Sequence, residues 1–323
     1  METAENGTWR PLACGQTNQF YRACDNARQY QVCNWMVAVN DPNPFCISCR
    51  LNKLIPNLSL PGNLDRWHRL EIAKRRIIYT IMRLGLPMEE APTGNRPPLR
   101  FNFIGDLDGP TQVTGHLNGL ITIDIAEADG AERERRRVSL YEPYRTLLGH
   151  LRHEVAHYYW DRLIAGSNWL AGFRKLFGDE TADYQAALTR YYQQGPPPEW
   201  QARYVSAYAS AHPWEDWAET WAHYLHIMDM TETAESFGMT LKPMHPAARF
   251  MTANPRNAFD RTMSFDAVLE NWFPLTHALN SLNRGMGLLD IYPFVLSTQA
   301  IEKLKFIHEV ALTAYDNNYV PAK

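Results

Sequence analysis

The chain has 323 residues, of which 45% are hydrophobic and 21% are charged, and its formal net charge is −3. This length allows a sizeable core, with one large domain and a small one. The composition demands neither nucleic acid nor an anionic membrane as a partner, and no apolar run approaches the 18 residues of a membrane span. The first 30 residues lack the basic start and apolar stretch of a secretory signal, so the expected compartment is the cytoplasm.

All five cysteines lie between Cys14 and Cys49. An odd, clustered number without a signal peptide favours metal binding over disulfides. Four of them have the spacing C-x8-C-x12-C-x2-C, and the last pair matches one half of a structural zinc site. The first pair has a less usual spacing, and four buried or free thiols are the alternative. We predict a small zinc-ribbon-like module over residues 1–60, with one structural zinc bound by Cys24, Cys33, Cys46 and Cys49; Cys14 receives no role.

A linker rich in proline and asparagine precedes a strong helix predicted over residues 64–86. This helix carries the basic run Lys74-Arg75-Arg76. A basic helix after a zinc module is one way to face nucleic acid. A solvated helix face is the alternative, and the acidic overall charge favours it.

Two strands are predicted next, at residues 99–104 and 119–125. The second alternates branched residues between turn signals. The edge strand of a short sheet can pair with an extended peptide. Residues 120–125 are either that edge strand or an ordinary strand of the sheet.

The most informative stretch is His153-Glu154-Val155-Ala156-His157, in a helix predicted to start at residues 142–144. Histidines four residues apart lie about 40° apart around a helix, so both imidazoles reach one metal ion. A glutamate between them can hold water without binding the metal, which is the arrangement of a zinc hydrolase with Glu154 as general base. Alone, the pattern also fits two helix-face histidines beside a surface glutamate.

Two further polar residues share the face of this helix, His150 and Asp161. Asp161 is a candidate third ligand, but three turns of a straight helix span more than about 10 Å, too far for three side chains to meet one ion. We therefore expect His150 and Asp161 to be polar partners near the site or in the core. Asp161 would then either bond the free nitrogen of a ligand histidine or pair near Arg162.

A helix is predicted over residues 179–192, and the turn Gly195–Pro198 stops it. A further helix is predicted to begin near His212-Pro213. Its apolar stripe is formed by Trp214, Trp217, Trp221, Leu225 and Met228, and a second stripe contains Glu215, Glu219, Ala222 and His226. A catalytic zinc needs three protein ligands and one open position. We predict Glu215 as the third ligand and Glu219 as the residue that orients a ligand histidine; a solvated acidic face is the alternative.

This glutamate pair after H-E-x-x-H resembles the gluzincin metallopeptidases. In anthrax lethal factor, a member of that group, a tyrosine two turns before the ligand glutamate assists the transition state, and Tyr208 stands seven residues before Glu215. The chain resembles more closely the bacterial putative zinc-binding metallopeptidases with a cysteine-rich N-terminal region. The matching segments are Cys46–Leu51, Ala73–Arg76, Gly119–Ile123, the H-E-x-x-H helix and His212–Glu219. The chain departs from that family in having no paired cysteines before Cys14.

Together these patterns predict an α+β protein with a mostly helical zincin-like metallopeptidase domain over residues 61–323. Short helices are expected at residues 265–272, 275–282 and 298–315. The predicted activity is zinc-dependent hydrolysis of a peptide or protein, with one catalytic zinc and Tyr208 as donor to the oxyanion. Tyr204, His223 and His226 are the alternative donors. The alternative functions are a DNA-associated protein and a zinc protein without catalysis.

Overall fold

The computed structural model describes residues 2–4, 7–12, 19–89, 96–105, 114–130, 146–256 and 258–318. Contacts divide the chain into two compact units, formed by residues 1–78 with 89–140 and by residues 79–88 with 141–323. Helices predominate and two small sheets accompany them, which confirms the predicted α+β class. The predicted domain boundary after residue 60 falls inside the first unit. Among the described residues, no helix has the length and apolar character needed to cross a membrane.

The cysteine-rich segment forms an antiparallel sheet whose strands follow chain order. These strands are β1 (Glu2–Thr3), β2 (Trp9–Arg10), β3 (Tyr21–Ala23) and β4 (Met36–Ala38), with helix α1 (Asp25–Tyr30) between the last two. Strands of two or three residues stabilise a sheet poorly by backbone pairing alone. The buried residues that pack together here are Val37 and four cysteines. The cysteines therefore supply most of the buried core of this segment.

The second sheet contains strands β5 (Asn52–Leu54), β6 (Arg100–Ile104), β7 (Gly115–Leu117) and β8 (Leu120–Asp124), in the order β5-β6-β8-β7. Strand β8 pairs in parallel with β6 and antiparallel with β7. Asn118 and Gly119 join β7 to β8 with φ angles of 50° and 78°, as a tight two-residue hairpin requires. The prediction of an edge strand at residues 120–125 was wrong, because β7 covers the other side of β8.

Helix α2 (Asn63–Arg83) buries charges that the sequence analysis placed in solvent. The Lys74 side chain is fully buried, and its Nζ donates to Glu71 at 2.8 Å. Arg75 is also buried and donates to the backbone carbonyl of Val32. Oxygen atoms of the first unit therefore accept hydrogen bonds from both buried cations. The prediction that Lys74 and Arg75 lie on a solvated helix face was therefore wrong. Because both side chains are buried, neither is placed to contact a phosphate. Arg76, in contrast, is exposed.

The second unit is helical in its described residues. Its helices are α3 (Leu147–Tyr159), α4 (Leu170–Phe177), α5 (Tyr184–Gln194), α6 (Pro213–Ser236), α7 (Phe265–Gly285) and α8 (Thr298–Asn318). The predicted start of α3 at residues 142–144 lies outside the described residues. The described helix begins after Thr146, whose Oγ1 accepts a hydrogen bond from the Gly149 amide at 2.9 Å.

Large aromatic side chains hold α3 against α6. Trp217 Nε1 donates to the backbone carbonyl of Ala156 at 2.9 Å, and the rings of Tyr159 and Trp221 stack at 5.1 Å. Both tryptophans are fully buried. This packing fixes the two helices that carry the candidate metal ligands.

Helix α7 is continuous through Pro274, where the sequence predicted two short helices. A proline inside a helix removes one backbone hydrogen bond. Val268 and Trp272 before Pro274, and Leu275 after it, are all buried. The packing of this apolar face outweighs the lost hydrogen bond, so the prediction of a break was wrong.

Candidate active site

Helices α3 and α6 run antiparallel at the H-E-x-x-H motif. His157 faces Glu215 at the start of α6, whereas His153, one turn earlier in α3, also reaches Glu219, one turn further along α6. This reversed order of contacts follows from the antiparallel packing. The structure thus brings together four residues that the sequence analysis selected from two separate segments.

Three ligand atoms converge on one point. His153 Nε2 lies 3.2 Å from His157 Nε2 and 3.0 Å from Glu215 Oε2, and the ligand atoms of the three residues all lie within 4.8 Å of one another. Glu215 is 1% exposed. Its Oε2 has no hydrogen-bond partner among the described residues. A buried carboxylate oxygen is costly without a cation or a donor, so this arrangement fits a metal ion.

Glu219 contacts the outer nitrogen of His153. Its Oε1 lies 2.7 Å from His153 Nδ1, and Ser206 Oγ donates to its Oε2 at 2.7 Å. Glu219 Oε1 is therefore placed to accept a hydrogen bond from Nδ1, which directs Nε2 towards Glu215 and the cluster. Burial by itself lowers the pKa of His153, but the carboxylates of Glu215 and Glu219 outweigh it and raise that pKa well above its usual value. The cluster attracts positive charge.

Glu154 is buried beside the cluster. Its Oε1 lies 3.3 Å from Nε2 of His150, one turn earlier on α3. Burial raises the pKa of Glu154, but the hydrogen bond from His150 and the positive charge of the neighbouring histidines lower it to about 2. Glu154 is consequently ionised at neutral pH.

Two tyrosines lie at the cluster, and one of them was missed by the sequence analysis. The predicted Tyr208 has its ring centre 6.0 Å from that of His153. Tyr184, at the start of α5, donates its hydroxyl proton to Glu215 Oε1 at 2.7 Å. Burial, followed by the charge of Glu215, raises the pKa of both phenols, which keeps them protonated as donors. No spacing relates Tyr184 to H-E-x-x-H, so only the tertiary structure reveals it.

The three alternative oxyanion donors have other contacts. The ring of Tyr204 lies 4.4 Å from the ammonium of Lys303, His223 Nδ1 lies 2.5 Å from the hydroxyl of Tyr292, and His226 Nδ1 lies 3.5 Å from Arg152. None of these contacts involves the ligand cluster. Tyr208 is therefore the best placed of the four predicted donors.

Asp161 lies on a π-helical turn, Trp160–Ile164, that continues α3. Its side chain is exposed. The carboxylate at the outer nitrogen of His153 belongs to Glu219. The structure thus gives Glu219 the contact with a ligand histidine that the sequence analysis also considered for Asp161. Single π-helical turns often accompany functional sites.

The four cysteines of the first unit form a second candidate metal site. All are buried, none is in a disulfide, and their sulfur atoms lie within 4.8 Å of one another. Cys33 Sγ and Cys46 Sγ are 3.7 Å apart, close to the roughly 3.8 Å expected between two ligands of a zinc tetrahedron with 2.3 Å bonds. Backbone amides of Cys46 and Trp35 donate to Cys24 Sγ and Cys33 Sγ. Such amides stabilise thiolates, and the set fits zinc; Cys14 lies outside the described residues.

Comparison with known proteins gives two family matches. A family described as "putative zinc-binding metallo-peptidase" matches residues 63–310, and one described as "zinc-ribbon domain" matches residues 1–60. Similar curated proteins include uncharacterized proteins of Mycobacterium bovis and of two Mycobacterium tuberculosis strains. Each is 43% identical over 292 residues, which cover 89% of this chain and 81% of the relative. No solved structure matches the chain.

Proposed function

Because the chain belongs to the family described as putative zinc-binding metallo-peptidases, we propose that it is a gluzincin-like peptidase in which His153, His157 and Glu215 bind zinc. The observation that carries the proposal is the convergence of these three ligand atoms around the buried, unbonded Oε2 of Glu215. Two imidazole nitrogens and one carboxylate oxygen are a ligand set of catalytic zinc sites. Zinc held there supplies a Lewis acid that polarises a carbonyl group and makes water more acidic.

Glu154 acts as the general base. It lies between the two histidines in sequence, its carboxylate is buried, and its lowered pKa keeps it ionised. It accepts a proton from the water that attacks the scissile carbonyl carbon. The C–N bond then breaks, and Glu154 returns that proton to the leaving amine.

Tyr208 donates a hydrogen bond to the oxygen that gains negative charge as water attacks. Its ring lies beside His153, and burial raises its pKa so that the phenol stays protonated. Tyr184 instead donates its hydroxyl hydrogen bond to Glu215 Oε1. We assign these two tyrosines different roles, one towards substrate and one towards a zinc ligand.

The four buried cysteines bind a second, structural zinc ion in this proposal. Residues 1–60 form that module, and residues 61–323 form the peptidase domain. The substrate is a peptide or a protein. The burial of Lys74 and Arg75 removes two of the three basic residues on which a nucleic-acid partner depended.

The decisive test compares Glu154→Gln with the wild type. Glutamine keeps the shape of the side chain but cannot accept the proton, so peptide hydrolysis should fall about 10²–10⁴-fold while zinc content and folding are retained. A mixed peptide library, read by mass spectrometry, offers many sequences at once, so cleavage is measured whichever sequence the enzyme prefers. Glu309→Gln, an exposed change on α8, is the matched control and should cleave as the wild type does.

Two outcomes contradict the proposal. Equal cleavage by wild type and Glu154→Gln would place the activity elsewhere. Tight zinc binding at the histidine cluster with no cleavage of any library peptide would favour a zinc protein without catalysis.

A further inference from the structure

A large groove lies in the second unit, outside the ligand cluster. It has a volume of about 760 Å³ and is lined by residues 250–252, by one face of α7 between Glu270 and Asn280, and by the segment 292–296. Asn280 fixes that segment to α7, since its side chain donates to the Tyr292 carbonyl at 2.9 Å and accepts from the Tyr292 amide at 3.2 Å. The groove is thus preformed, and its volume falls within the range of small-molecule sites.

The rim of the groove is apolar and open. Phe250 is 78% exposed and Val295 is 88% exposed, and Phe273 also reaches the surface. Bulky apolar side chains that line a concave surface and remain in water mark a binding site more often than scattered surface residues do. Burial of an apolar side chain in the groove would remove part of this apolar rim from water.

Two polar atoms in the lining lack protein partners. Trp272 Nε1 and Thr276 Oγ1 belong to residues that are 1% and 6% exposed, and neither has a hydrogen-bond partner among the described residues. The two residues lie one turn apart on α7, so both atoms belong to the same part of the lining. A peptide backbone carries N–H and C=O groups that can pair with such atoms, whereas a plain hydrocarbon chain has none. The unpartnered atoms therefore favour a peptide.

The groove adjoins the candidate active site on two sides. Phe294 and Tyr292 contact His223, with a ring distance of 4.5 Å for Phe294, and His223 follows Glu219 by one turn of α6. At the other end, Leu296 packs against the cluster that contains Val205. The next residue, Ser206, donates to Glu219. Both ends of the 292–296 segment therefore touch residues that neighbour the ligand shell.

We propose that this groove is a subsite for a bulky apolar side chain of an extended peptide substrate, three to five residues from the scissile bond. The distance follows from α6, because His223 lies eight residues, or about 12 Å, beyond Glu215, and an extended peptide advances about 3.3 Å per residue. The inference rests on the proposed peptidase function and deepens it by naming the substrate class.

Binding can be measured separately from cleavage with the zinc-loaded Glu154→Gln protein. The probes are fluorescein-labelled decapeptides of alanine, glycine and serine that carry one phenylalanine, or one serine in its place, at each position in turn. In fluorescence anisotropy, the best phenylalanine peptide should bind at least tenfold more tightly than its serine counterpart. That phenylalanine is then replaced by p-benzoyl-phenylalanine and the complex is irradiated. The peptide should become cross-linked to residues 250–252, 273 or 294–296.

Variants at the exposed rim test the groove without touching the core. Phe250→Ser and Val295→Glu should each reduce the advantage of the phenylalanine peptide at least fivefold. Phe237→Ser is the matched control, because Phe237 is 82% exposed in the same unit and does not line the groove. It should leave the preference unchanged.

The outcomes separate this inference from the proposed function. Selective binding and cross-linking in the groove, without cleavage by wild type, would support the groove as a peptide site and contradict the peptidase. Cleavage that does not depend on the phenylalanine, or cross-links to residues outside the groove, would overturn the groove proposal but leave the proposed peptidase function standing. Self-association abolished by Val295→Glu, without peptide binding, would assign the groove to a second copy of the chain.

Discussion

The hydroxyl group of Tyr184 donates a 2.7 Å hydrogen bond to Oε1 of Glu215, while Oε2 of the same carboxylate lies 3.0 Å from His153 Nε2. One oxygen is thereby held by the protein and the other is presented to the cluster. A hydrogen bond to a ligand carboxylate restricts its rotation and so lowers the entropy lost when a metal binds. Tyr184 is a positioning residue for the proposed zinc site.

Removal of the Tyr184 hydroxyl group should weaken zinc binding. For Tyr184→Phe we expect the affinity of the histidine site to fall roughly 10–100-fold, as for other partners of metal ligands, measured by competition with a chromophoric chelator. Tyr79→Phe is the matched control, because it removes a 2.8 Å hydrogen bond to Glu232 on another part of α6. Equal zinc affinity in both variants would exclude the positioning role.

The two glutamates of α6 should differ in their effect on zinc. Glu215→Ala removes a ligand and should empty most of the histidine site. Glu219→Ala removes the acceptors of His153 Nδ1 and Ser206 Oγ but no proposed ligand, so the affinity should fall roughly 10–100-fold. Equilibrium dialysis at defined free zinc distinguishes the two. If Glu219→Ala empties the site and Glu215→Ala does not, the ligand assignment is shifted by one helical turn.

The wild-type protein should contain two zinc ions per chain. Cys46→Ser combined with Cys49→Ser should remove one of them and destabilise the first unit, because metal-binding energy at a small thiolate site contributes directly to folding. Elemental analysis and thermal unfolding report the two effects. Cys14→Ser, which changes a cysteine outside the proposed set, should retain both ions. A wild-type content near one that the double change leaves unaltered would argue against the cysteine site.

A buried ion pair should contribute to the stability of the second unit. Lys303 Nζ on α8 lies 2.6 Å from Asp216 Oδ2 on α6, and both side chains are almost fully buried. Burial raises the pKa of the Asp216 carboxyl to about 7 even beside Lys303. Lys303→Met leaves this buried group without its cation, so unfolding should become easier by up to about 3–5 kcal/mol. Chemical denaturation measures this difference.

The control for that change lies on the same helix. Lys305 pairs with Asp266 at 3.0 Å on the surface, and Lys305→Met should cost at most about 1 kcal/mol. The double variant Lys303→Met with Asp216→Asn should recover part of the lost stability, because it removes the isolated charge. A small and equal effect of both lysine changes would show that the buried pair is not a major contributor.

The ligand cluster was predictable because its geometry is local within each helix. Residues at i and i+4 share a helix face in any protein, so His153 with His157, and Glu215 with Glu219, could be paired from spacing alone. The spacing of the four cysteines likewise predicted that they share one site, and in the structure their sulfur atoms lie within 4.8 Å of one another. The break predicted at Pro274 failed because packing of an apolar face decided the continuity of α7.

Spacing and residue type thus determined the fold class, the candidate ligands and the candidate base. Tertiary structure decided which distant groups meet them: Tyr184 at Glu215, Ser206 at Glu219 and His150 at Glu154. It also decided that Lys74 and Arg75 are buried, and that three separate segments form the apolar groove. The physical reason is that the period of a helix fixes neighbours a few residues apart. Contacts between remote segments depend on how helices pack, which no local pattern encodes.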